Sequence, residues 1–207
     1  SGSQKSNWRA LFESASGKRA AKGIVFTANQ YNPGLSPKWV KEQRNQGRPT
    51  PIESWRQNLA TYAAEHPANR CPDNLHAISI VDEAHGLIDP TVPGKNGVPP
   101  SGWAMHAGPQ AWHIIRASRV SIFLMDGDQS YRDNETTTRA SIEKYAADFG
   151  VENVEVVSLA GSQFRCAGSK EYIEWLDHLL GLSAAKNAPL DWQKSRGGPF
   201  PFAVAAT

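Results

Sequence analysis

Cysteine is scarce in this chain: only Cys71 and Cys166 occur among 207 residues. That is too few for a disulfide framework or a cysteine-built zinc site. Long apolar runs are missing too, and nothing approaches the length needed to cross a bilayer. The first residues, Ser1-Gly2-Ser3-Gln4-Lys5-Ser6, contain no apolar stretch of the kind that marks a secretory signal. A cytoplasmic location is therefore expected. The start also lacks a methionine, which reads as a tag remnant or a cut chain. No repeat or heptad is visible, and the six histidines are scattered without metal-ligand spacing. Acidic residues are sparse near the start. Residues 1–70 hold 11 Lys+Arg against 4 Asp+Glu, a balance of +7, whereas residues 71–207 balance at −5. A basic segment of this kind attracts phosphate backbones or forms a solvated face.

What is present suits a globular protein of one large domain or two small ones, with 40% apolar and 20% charged residues. Short apolar runs at Gly23–Thr27, His76–Val81, Arg119–Met125 and Val154–Leu159 read as strands. Helical spacing is expected over Trp8–Lys22, from Thr50 to about Glu65, over Pro109–Ala117, over 138–149 and over Ser169–Leu180. Thr50, Pro51 and Glu53 suggest a capped helix start, and Gly150 and Gly181 suggest left-handed stops. Residues 31–49 and 88–110, rich in Pro, Gly, Asn or Gln, read as loops. This alternation predicts an α/β fold, a mostly parallel sheet flanked by helices on both faces.

The chemistry concentrates at strand ends, where ligands bind in open α/β sheets. Val81-Asp82-Glu83-Ala84-His85 follows the second apolar run. One acid of such a pair can hold Mg²⁺ beside substrate phosphates while the other polarises water. The alternative is a solvated turn. Met125-Asp126-Gly127-Asp128-Gln129 follows the next run, and the Gln129 amide can both donate to a phosphate and accept from water; Asp-Gly-Asp is also a common turn. Arg165 in Gln163-Phe164-Arg165-Cys166 is placed to stabilise charge on a transferring phosphoryl group, or to form a surface ion pair. Cys166 reads as a packing residue. After the first run, Asn29 and Gln30 could touch a nucleic-acid backbone, and Tyr31 or Trp39 could stack on a base, or all could belong to a plain loop. Ser14–Arg19 fails as a phosphate loop: Leu11 stands where an early glycine is needed and Arg19 where a hydroxyl is needed.

In order and spacing, Asp82-Glu83-Ala84-His85, the segment Ser118–Gln129, Gln163–Ser169 and Tyr172–Asp177 resemble the DUF2075 family, the Schlafen group 3-type DNA/RNA helicase domain related to superfamily 1 helicases. The resemblance runs from about Gly23 to Leu182 and implies a partial RecA-like P-loop NTPase core using ATP and Mg²⁺. It implies Asp82 as the Walker B magnesium ligand, Glu83 as general base and His85 as the coupling residue of a DEAH box. Asp126 and Gln129 correspond to helicase motif III, Arg165 to the arginine reaching the γ-phosphate, and Asn29 to a contact with single-stranded DNA or RNA. Gly86 departs from the Arg of many relatives. The family's Walker A and second RecA-like half have no counterpart in these residues, so an internal fragment or degenerate relative is expected, lacking flanking ATPase segments. On this reading 1–182 form the domain and 183–207 a linker or the start of the following region.

Two other readings compete with a motor domain. One is a non-catalytic nucleic-acid-binding or interaction module on a degenerate P-loop fold. The other is a metal-dependent nuclease using Asp82, Glu83, Asp126 and Asp128, which leaves Gln129 and Arg165 without work.

Overall fold

A computed structural model describes residues 2–19, 24–31, 35, 37–69, 73–94, 97, 104–126, 136–158, 174, 176–178 and 180–181. The chain divides into two compact units, Ser1–Val154 and Glu155–Thr207. The second holds few described residues; Glu174 and Leu176–His178 are helical, within the expected helix 169–180. The expected boundary after Leu182 lies outside the described residues. No helix among the described residues is long and apolar enough to cross a membrane.

The first unit is built around two parallel strands, β1 (His76–Val81) and β2 (Ser118–Phe123), with Ile78 opposite Val120 and Ile80 opposite Ile122. Parallel strands need a crossover. Here it ends in helix, and Ala117 passes directly into Ser118, the first residue of β2. The unit's helices are α1 (Gly2–Ser16), α2 (Pro37–Asn45), α3 (Trp55–Glu65), the single turn α4 (Ala104–Ala107), α5 (Gln110–Ala117) and α6 (Arg139–Ala147), and the described residues Lys18, Arg19 and Ile24 are also helical.

Two apolar clusters hold these elements together. Ala84, Leu87, Ala111, Ile114, Ile142 and Tyr145 form one, with Val81 and Phe123 packed against it. Leu35, Trp39, Val40, Tyr62 and Ala107 form the other. Burial of each large side chain contributes about 1.5–3 kcal/mol. Helix α5 turns Ala111, Ile114 and Ala117 inward, flanked by the half-buried Trp112 and Ile115. Gly108, just before it, has φ +87°, and an added Cβ would lie 2.3 Å from the Trp55 ring. Only glycine suits that position.

The structure corrects several expectations. Residues 37–45, expected as loop, are helical. Pro37 suits a first helical position, and Trp39, Val40 and Gln43 recur at helical spacing and are buried. Helix α1 starts at Gly2, earlier than the expected Trp8, and is interrupted at Gly17, which takes φ +81°; Lys18 and Arg19 beyond it are again helical, within the expected helix to Lys22. Its Trp8 and Leu11 are exposed. The expected capping box at Thr50 is absent. Ile52–Ser54 form a 3₁₀ turn, α3 begins at Trp55, and the buried Asn58 amide donates to the Pro51 carbonyl at 3.0 Å.

No strand forms at 25–27. The Val25 carbonyl accepts from the Arg9 guanidinium at 3.4 Å, and Phe26 packs on Tyr31 and His76. Residues 154–158 are likewise not a strand, and Leu159 lies outside the described residues. Among the described residues no helix covers the strand residues Ile78, Ile80, Val120 and Ile122, which are exposed. Helix α6 lies within the expected 138–149, starting one residue later and ending two residues earlier. Thr138 and Ser141 form a capping box, and Gly150 takes φ +75°.

Candidate functional site at the strand ends

The chain leaves β1 through Asp82 and Glu83 into a 3₁₀ turn, Ala84–Gly86. Changing from extended to helical backbone within two residues forces an unusual conformation on Glu83, φ +54° and ψ +48°. A non-glycine residue there is strained by about 1–2 kcal/mol. Two backbone bonds hold the turn against the end of β2. Leu124 N–H donates to the Val81 carbonyl at 2.9 Å, and Ala84 N–H donates to the Leu124 carbonyl at 2.8 Å. Ala84 is fully buried against the first cluster, so a larger side chain has no room.

His85 joins the acidic turn to the residues after β2. Its ring is buried, with Nε2 3.0 Å from Oε2 of Glu83. Asp126 N–H donates to Nδ1 at 3.2 Å. A ring nitrogen that accepts from a backbone amide carries no proton, so the hydrogen sits on Nε2 and is donated to the Glu83 carboxylate. The imidazole is thus neutral in this arrangement and fixes one Glu83 oxygen. Glu83, His85 and Asp126, singled out on two distant stretches of sequence, meet in space.

The other expected site residues are placed as follows. Asp82 is exposed on the turn, and the Asp126 side chain is exposed beyond β2. Gln129 and Arg165 lie outside the described residues, as do Asp128 and Cys166. Asn29 sits in a 3₁₀ turn, Ala28–Tyr31, where its Oδ1 accepts from the Gln110 amide at 2.6 Å. The same Gln110 side chain accepts from Ile88 N–H at 2.8 Å. One buried glutamine therefore ties Asn29 to the chain just past the acidic turn. Tyr31 is half-buried, and its hydroxyl donates to Ser79 Oγ at 3.0 Å. Trp39 is buried and packs edge-on against Tyr62, so its ring presents no open face to a base.

A second polar cluster was not singled out from the sequence. Asp89 is completely buried. Its Oδ1 accepts from Thr91 N–H at 3.0 Å and from the Thr91 hydroxyl at 2.7 Å, and its Oδ2 accepts from the Tyr145 hydroxyl at 2.5 Å. Burial, reinforced by the Asp89 carboxylate, pushes the Tyr145 hydroxyl well above the usual phenol range. Asp89 N–H donates to Thr136 Oγ1 at 3.1 Å, and the Thr137 hydroxyl donates to the Leu87 carbonyl at 2.8 Å. These bonds clamp the segment after the acidic turn to the segment that enters α6. The local signal was Asp89-Pro90-Thr91, an aspartate able to bond the backbone two residues on. Nothing local pointed to Tyr145 or Thr136. Among the described residues, no group of three or more His, Cys, Asp or Glu could hold a metal ion.

A family model described as Schlafen group 3, DNA/RNA helicase domain, matches residues 36–207. No curated protein and no solved structure matches the chain.

Proposed function

We propose that this chain, which belongs to the Schlafen group 3 DNA/RNA helicase domain family, forms the Asp-Glu-bearing part of an ATP-hydrolysing motor that acts on single-stranded nucleic acid. The observation that carries the reading is the hydrogen-bonded line Glu83–His85–Asp126 across the ends of two adjacent parallel strands. Such a line lets one strand end sense what is bound at the other.

The donor set suits Mg²⁺. Asp82 offers a hard carboxylate on an exposed turn, and this ion usually takes one or two carboxylates and completes its shell from phosphates and water. Asp82 is the residue that would hold it, and the bound ion would neutralise charge on the phosphates. Glu83 would take the proton of the attacking water. His85 already occupies Oε2, and no described residue hydrogen-bonds Oε1, so Oε1 is the oxygen for that proton. His85 also fixes the orientation of the carboxylate, and a shift of Asp126 would reach Glu83 through the imidazole. In this scheme Gln129 and Arg165 contact the γ-phosphate and Asn29 the nucleic acid.

A second reading, a nucleic-acid-binding module without catalysis, is favoured by one observation: no G-x-x-x-x-G-K-[ST] segment occurs in the 207 residues. That loop supplies most of the phosphate binding in P-loop enzymes. The 207 residues by themselves are therefore expected to hydrolyse ATP poorly or not at all, and tight binding of Mg·ATP to them would contradict this. The two readings separate in a form of the protein that carries such a loop. ATP turnover stimulated by single-stranded DNA or RNA, and abolished by Glu83→Gln, supports the motor. Absence of turnover there supports the binding module.

A further inference from the structure

We infer that the outward face of α2, carrying Lys41 and Arg44 and followed by Arg48, binds the phosphate backbone of single-stranded nucleic acid. The inference rests on the nucleic-acid reading above and names a surface for it.

The orientation of α2 is fixed by its apolar side. Trp39, Val40 and Gln43 are buried, with Trp39 Nε1 donating to Glu65 at 2.5 Å, so the opposite side must face solvent. That side carries Lys38, Lys41, Glu42 and Arg44, all exposed. Its single acid is offset by Lys38, whose Nζ lies 3.8 Å from Glu42. Three cations remain: Lys41, Arg44 and Arg48. Arg48 is held beside them by the helix stop. Gly47, at φ +71°, donates to the Arg44 carbonyl at 3.1 Å, and Arg48 N–H donates to the Gln43 carbonyl at 2.9 Å.

Lys18, Arg19 and Arg119 are likewise exposed and form no side-chain bond with a described residue, whereas most other cations on the unit are engaged. Arg56, Arg116 and Arg139 each pair with a carboxylate, and Lys5 and Arg9 reach backbone or amide oxygens within the chain. Lys41, Arg44 and Arg48 form no side-chain bond with a described residue. Arg44, in the last turn, also complements the helix dipole. That explains one charge and not a row of three. The row lies within the segment 1–70, whose balance of +7 the rest of the chain does not share. Exposed cations without internal partners attract a polyanion through counterion release, which requires no pocket.

The test is salt-dependent binding of the 207-residue chain to a short fluorescent oligothymidylate and, separately, to an oligouridylate. It compares wild type with the triple variant Lys41→Gln, Arg44→Gln, Arg48→Gln. An equal-charge control carries Arg119→Gln, Arg139→Gln and Lys144→Gln. Each phosphate contact to a single strand contributes a slope of about −0.7 in log K against log salt. Losing three contacts should flatten the slope by about 2 and weaken binding roughly hundredfold at 0.1 M salt. The control should leave slope and affinity close to wild type, and circular dichroism should show that both variants remain folded. An unchanged slope in the α2 variant, or equal flattening in the control, overturns the inference and leaves the nucleic-acid reading standing. Failure of the wild type to bind either oligonucleotide overturns both. A preference of the two probes for α2 identifies DNA or RNA as the backbone engaged.

Discussion

Glu83 is strained where it stands, and replacing it should reveal how much. Its left-handed backbone costs a residue with a Cβ about 1–2 kcal/mol relative to a relaxed conformation. Glycine escapes that cost and gives back roughly 0.5–1 kcal/mol because its unfolded chain is freer. Glu83→Gly and Glu83→Ala lose the same contact with His85, worth about 1 kcal/mol for a carboxylate that is 42% exposed. Their difference isolates the backbone. Glu83→Gly should therefore be more stable than Glu83→Ala by about 0.5–1 kcal/mol, despite being the worse residue in ordinary secondary structure. With a urea m-value of about 2 kcal/mol/M, that is a midpoint difference of roughly 0.3–0.5 M. Urea unfolding followed by tryptophan fluorescence would read it. Asparagine, which tolerates this conformation, should fall between the two. An alanine variant as stable as the glycine variant would refute the reasoning and show that the turn is not strained. Wild type, although strained, keeps the carboxylate, the pattern expected where conformational cost serves a site.

Gly108→Ala should destabilise the protein by about 2–4 kcal/mol, since it combines a left-handed backbone with overlap of the Trp55 ring; a midpoint near wild type in urea unfolding would contradict the packing described here. Tyr145→Phe removes one of three donors to the buried Asp89 and should cost about 1–2 kcal/mol, whereas Asp89→Ala leaves all three without their acceptor and should cost more, as paired denaturation curves would show. Burial, partly opposed by the bond to Ala107 and aided by Arg116, pushes His113 down to about 3. The unfolded chain takes up a proton near pH 6.5 that the folded chain refuses, so stability contributed by neutral His113 is complete above about pH 6.5 and is lost as pH falls toward 3. His113→Gln should flatten the stability profile in that window by up to about 1.4 kcal/mol per pH unit, and an unchanged slope would mean that His113 is not the group responsible.

Local patterns were the legible part of this fold. His76–Val81 and Ser118–Phe123 were readable because Ile and Val recur in short runs between turn signals, and α6 because Gly150 punctuates its end. The misread stretches are those where composition and packing disagree. Residues 37–45 look like loop by content, yet Trp39, Val40 and Gln43 bury a side that only a helix can present. Gly23–Thr27 looks like a strand, yet its carbonyl at Val25 is taken by a side chain from α1. The position of Asp82, Glu83, His85 and Asp126 at strand ends was legible because each closely follows a short apolar run. Asp89 was not, because its partners Thr136 and Tyr145 are remote in sequence and become neighbours only after folding.

The same distinction between local and distant partners bears on how Glu83 is controlled. Its turn is fixed by Leu124, its carboxylate by His85, and His85 by the backbone of Asp126. Each of these restraints runs through the end of β2, whereas Glu83 itself belongs to the end of β1. A movement of the segment after β2 therefore changes both the conformation of the turn and the hydrogen bond to the carboxylate. Farther along, Thr136 and Thr137 bond the backbone at Asp89 and Leu87, so the two segments are tied on either side of the stretch that includes Gln129. The placement of the Glu83 carboxylate thus depends on a second strand end, through the buried His85 ring, where burial limits screening by salt.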